Sequence, residues 1–98
     1  MNKREYLLVC LMEELSEAQH AVSKCLRFGL DDVKDGVMNV DYLTQELTDI
    51  SAIIDLIEDG GDIIDSMSTE EWDKAVIEKK EKVQKYMKYS KDRGCLDD

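Results

Sequence analysis

No proline interrupts this chain, histidine occurs once, and cysteine occurs three times with no two in a C-x-x-C spacing. Each absence removes a class of reading. An odd set of isolated thiols, Cys10, Cys25 and Cys95, argues against a disulfide framework and against a zinc site. The single histidine leaves a helical metal-storage or redox bundle without its usual Glu-x-x-His ligand pairs, and His20 falls on the polar side of the helix that carries it. No apolar run approaches the roughly 20 residues that span a bilayer. The opening Met1 to Met12 is like the start of a signal peptide, but Glu13, Glu14 and Glu17 follow with no small-residue cleavage site, so the expected location is the cytoplasm.

Positive charge is also scarce. Thirteen Lys and Arg face 23 Asp and Glu, a net charge of -10, and the resulting field repels nucleic acid and anionic membranes. A small polyphosphate is repelled too unless metal ions bring positive charge to it. With 98 residues, 43% hydrophobic and 37% charged, the composition suits one soluble helical domain over residues 1–98.

What is present is helical periodicity. Leu7, Leu11, Glu14, Ala18, Ala21, Cys25 and Phe28 recur at steps of four and three, which lines one face of a helix. Glu14 thus occupies a core position, and Glu17 lies at the edge of the same stripe. A second stripe, Leu43, Leu47, Ile50, Ile54 and Ile57, has Glu46 inside it and Asp49 at its edge. Buried carboxylates cost several kcal/mol or more when nothing neutralises them, and acids converging from two helices repel. A divalent cation resolves the conflict. The bland alternative is a solvated face with ordinary ion pairs, but solvated residues do not belong within apolar stripes.

The five glycines all fall outside the periodic runs. The spacing predicts a first helix from about Lys3 to Phe28 closed by Gly29, then turn chemistry over 30–40. A second helix is expected to start at a cap on Asn39 or Asp41 and to run to about Glu58, stopping at Gly60-Gly61. Asp62 to Asp65 is too short to assign, and Asp62 and Asp65 are read as solvent-exposed. Ser68 to Glu71 has the capping-box pattern for a third helix to about Ser90. Its stripe is Trp72, Val76, Val83, Tyr86 and Met87, a core face before it is a base-stacking one. The sum is an all-α bundle of about three helices, completed to a four-helix core by a homodimer or homotetramer.

Glu13-Glu14-x-x-Glu17, 28 intervening residues, then Glu46-x-x-Asp49 resembles the E-E-x-x-E and E-x-x-D signature of the MazG-like, all-α nucleoside triphosphate pyrophosphohydrolases. The likeness covers about residues 5 to 58 and includes Lys24, Arg27, Phe28 and Gly29. It implies hydrolysis of a nucleoside or deoxynucleoside triphosphate to the monophosphate and pyrophosphate with Mg²⁺, or Mn²⁺ in its place. Within that fold dUTP, dCTP and phosphoribosyl-ATP are alternative substrates. Carried over by position, Glu14, Glu17, Glu46 and Asp49 match the metal-binding acids, and Glu13 the leading glutamate. Hard cations prefer such oxygen donors. Glu17 or Glu13 is the candidate to accept a proton from water. Lys24 and Arg27 are candidate phosphate contacts, though cations in a last helical turn also complement the dipole. Lys79 joins them because it alone of the third helix's lysines stands on the apolar line. A different class of answer is a non-catalytic dimeric helical interaction or regulatory protein, which has no reason to place Glu14 and Glu46 in its stripes.

Overall fold

The computed structural model describes residues 1–61 and 67–97; Asp62 and Asp65 lie outside them. The elements run α1 (Lys3–Phe28), β1 (Val33–Lys34), β2 (Val37–Met38), α2 (Asn39–Gly60) and α3 (Thr69–Asp92). The fold is all-α, with one small hairpin among the described residues. No helix of the described residues is long and apolar enough to cross a membrane. The chain divides into two compact units, Met1–Asp65 and Ser66–Asp98.

In the first unit the sequence starts α1 with a reciprocal cap. The Asn2 side chain accepts from the Glu5 amide at 2.8 Å, and the Glu5 carboxylate accepts from the Asn2 amide at 3.2 Å. Helix α1 ends at Gly29, whose amide donates back to the Cys25 carbonyl. Residues 30–40 do more than turn. Asp35 and Gly36 both take positive φ, 54° and 80°, the pair of left-handed residues that an Asp-Gly two-residue hairpin requires. Val33 pairs with Met38 and Lys34 with Val37. Two-residue strands are too short to announce themselves by alternation, which is why only the turn chemistry was legible.

The hairpin returns the chain so that α2 packs along α1, its first residue beside the last turn of α1. Asn39 makes that junction, and it corrects the expected cap. Met38 takes the N-cap position with no side-chain hydrogen bond. Asn39 is instead the first residue of α2, buried at 3% exposure, and its Nδ2 donates to the Gly29 carbonyl at 2.9 Å. The buried amide thus finds an acceptor in a carbonyl that otherwise takes only a long bond, 3.4 Å, from the Asp32 amide. Asn39→Ala is therefore expected to cost about 1–3 kcal/mol, because the Gly29 carbonyl loses its side-chain donor; a urea melt of the variant against the parent measures it.

Between the helices the buried contacts are small. Ala18 and Ala21 of α1 and Ile57 of α2 are buried, and Leu7, Leu11, Cys25, Leu43, Ile50, Ile53 and Ile54 are half-buried. The stripes hold with two exceptions: Phe28 and Leu47 are more than half exposed. Phe28 is the last residue of α1, and Leu47 turns off the α1-facing side of α2 towards solvent.

The second unit is α3 and its tail. Ser68 Oγ accepts from the Glu71 amide at 3.2 Å and so caps the helix as expected. Helix α3 continues to Asp92, and its amphipathic stripe is largely exposed at Trp72, Val83, Tyr86 and Met87.

Candidate metal centre

Glu14 and Glu17 stand one turn apart on α1, so both side chains lean over the same side of the helix. Ala18 and Ala21, next to them, let α2 approach, and α2 brings Glu46 across. One carboxylate oxygen from each of Glu14, Glu17 and Glu46 lies within 4.8 Å of the other two. Among the described residues this is the one group of three acidic, His or Cys side chains so placed. Glu14 and Glu46 are half-buried and Glu17 is exposed, so the cluster has a closed floor and an open rim.

The floor is electrostatically unsatisfied. Glu14 Oε2 and Glu46 Oε2 are both shut off from solvent, and neither has a hydrogen-bond partner among the described residues. Burial, followed by the charge of Glu17 and contacts with Glu14 and Glu17, pushes the Glu46 carboxyl up from 4.5 to about 7. The raised value means that Glu46 holds its proton up to near neutrality. A hard divalent cation fits these residues: the donors are all carboxylate oxygens, and Glu14 and Glu46 each keep one oxygen without a hydrogen-bond partner among the described residues.

The other acids fall outside this set. Asp49 is half-buried one turn along α2, and its Oδ1 accepts from Gln45 Nε2 at 2.9 Å. Glu13 is exposed on a different line of α1, about 100° round the helix from Glu14.

A cavity of about 340 Å³ opens beside the triad, lined by Ser16, Glu17, His20, Ala21, Lys24, Tyr42 and Glu46. Lys24, half-buried, is its cation. His20 is exposed, as its place on the polar side of α1 predicts, yet it lines this cavity. Tyr42 is the residue that motif reasoning passes over; it stands one turn before Glu46 on the same face of α2, and that spacing was the available signal. Arg27 is not among the lining residues. Its guanidinium lies over the Phe28 ring, 4.7 Å from the centroid. Lys79 belongs to the second unit, where it lines a separate cavity of about 370 Å³ with Lys82, Val83, Tyr86 and Met87 among others.

No family model, curated protein or solved structure matches this chain. The weight of a functional reading falls on the motif and on the geometry of these side chains.

Proposed function

We propose that the chain is a metal-dependent nucleotide pyrophosphohydrolase of the cytoplasm, with Glu14, Glu17 and Glu46 as its ion-binding carboxylates. The observation that carries this is one solvent-excluded oxygen on each of Glu14 and Glu46, unpartnered among the described residues, on carboxylates that cluster with that of Glu17 beside a cavity. Buried acids without partners are costly and uncommon unless a ligand completes them. The three free thiols agree with a reducing compartment.

Bound Mg²⁺ or Mn²⁺ supplies charge compensation for phosphate oxygens and a more acidic water. The chain's own residues do the rest. Lys24, on the cavity wall, holds the phosphate end of a nucleoside triphosphate as a point charge. Glu17 is the exposed acid of the triad and lines the same cavity, so it, rather than Glu13, accepts the proton of the attacking water. The water oxygen bonds to phosphorus as the bridge between the α- and β-phosphates breaks, leaving monophosphate and pyrophosphate. Asp49 stands one turn from the triad as an outer acid, its carboxylate oriented by Gln45.

The deciding experiment is pyrophosphate release from each NTP and dNTP, including dUTP and dCTP, and from phosphoribosyl-ATP, with Mg²⁺. Release from at least one nucleotide is expected, and none from any overturns the proposal in favour of a helical interaction protein. That second reading draws its support from the exposed apolar side chains of α1 and α3. Against the best nucleotide, Lys24→Met is expected to raise KM about tenfold while kcat changes less, as loss of ground-state phosphate binding should. Steady-state kinetics of the variant check it.

A further inference from the structure

Helix α3 carries a groove that takes no part in the triad. It follows the C-terminal half of the helix, floored by Val83, Tyr86 and Met87 with Lys79 and Lys82 on its wall, and holds about 370 Å³. The floor residues are about half exposed. The sequence closes the far end. Gly94 takes a left-handed φ of 77°; its amide donates to the Lys91 carbonyl at 3.0 Å, and the Cys95 amide donates to the Ser90 carbonyl at 2.9 Å. This pair of bonds turns a chain back over a helix end, and it brings Leu96, half-buried, into the lining of the groove.

Charge defines what fits there. The net charge of -10 arises in residues 1–65, and residues 66–98 hold eight acidic and eight basic side chains. Along α3 the two signs are sorted. From Glu70 to Glu78 only Lys74 is basic, whereas from Lys79 to Arg93 only Glu81 and Asp92 are acidic. By helical rotation those two acids lie about 160° and 180° round α3 from Val83, and Asp92 is taken by Lys88 at 3.0 Å. Lys79 and Lys82 flank the groove on one side and Lys80 and Lys91 on the other. None of the four has an ion-pair partner among the described residues.

We infer that this groove docks an acidic amphipathic helix of another protein, whose apolar ridge enters it while acids on either side of the ridge meet the lysines. Other occupants leave something unmet. A basic helix is repelled. A phosphate backbone pairs with the lysines but leaves Val83, Met87 and Leu96 uncovered. An anionic bilayer lies along a whole amphipathic helix, and the acids of the N-terminal half of α3 oppose it. A helix also matches the length, because Lys79 to Ser90 spans about 16 Å, enough to seat partner residues at i, i+4 and i+7. The inference does not depend on the activity of the triad.

The probe is a synthetic helix with leucine at its a and d positions and glutamate at e and g, labelled for fluorescence anisotropy and titrated with the full chain. The same helix with lysine for glutamate is its control. The glutamate helix is expected to bind about tenfold or more tightly than the lysine helix, and to weaken as salt is raised. Lys82→Glu and Val83→Gln are each expected to weaken it about tenfold, whereas Lys85→Glu, the same change of charge about 160° round the helix from Val83, is expected to leave it within about twofold. All three positions are exposed, and helical circular dichroism checks the fold of each variant. No binding, as when a second copy already fills the groove, overturns the inference; so do equal binding of the two helices, equal loss in Lys82→Glu and Lys85→Glu, or binding unchanged by Val83→Gln.

Discussion

Glu14→Gln is expected to lower nucleotide hydrolysis by on the order of 100-fold or more while leaving the fold at least as stable as the parent. The two effects run in opposite directions for one reason. Glutamine keeps the shape of the side chain but removes a carboxylate from a place where those of Glu17 and Glu46 already lie within 4.8 Å. Without a cation, its charge is repulsion that folding must overcome. With one, it is a ligand. A residue retained only for packing shows the reverse pattern, with stability falling and any activity following it. Pyrophosphate release and a thermal melt in EDTA, made on the same preparation, separate the cases. A variant with parent activity would remove Glu14 from the centre, and a variant that melts well below the parent would assign it a structural role.

The same charge conflict explains how much of the centre was legible in the sequence. Glu14 and Glu46 interrupt apolar stripes, and a stripe position fixes the direction of a side chain to within a fraction of a turn. Both are half-buried and they converge. Edge positions carry less information. Glu17 and Asp49 each sit at the margin of a stripe, yet Glu17 joins the cluster and Asp49 turns to Gln45. What separates them is how closely α1 and α2 approach, set by Ala18 and Ala21 and not by either helix alone. Asn39 is a similar case. As a residue before a helix it reads as a cap, and only the return of the hairpin places the Gly29 carbonyl where its amide can reach. Lys79 stands on the apolar line of α3, but periodicity places a residue on its own helix and is silent on which other unit it meets.

The protonation of the cluster gives the second large effect. Glu46 titrates ordinarily at 4.5 and in the folded chain at about 7. Between those values the unfolded chain has released this proton and the folded chain retains it, so the group's contribution to stability falls as pH rises from 4.5 to 7. Below that window it imposes no penalty, and above it the whole penalty is present. Other acids titrate too, so the informative quantity is the difference from Glu46→Gln, which cannot ionise. In EDTA, Glu46→Gln is expected to melt above the parent at pH 8, and the gap should close by pH 4. Ion binding reverses the requirement, because the ligand oxygens must be free of protons. A group titrating near 7 predicts Mg²⁺ affinity rising roughly tenfold from pH 6 to pH 8, with uptake of the ion releasing a proton. Calorimetric titrations in buffers of different ionisation heat count that proton. Equal pH slopes for parent and variant would place the raised group elsewhere, whereas a slope present in the parent and absent from Glu46→Gln ties ion, proton and fold to one carboxylate.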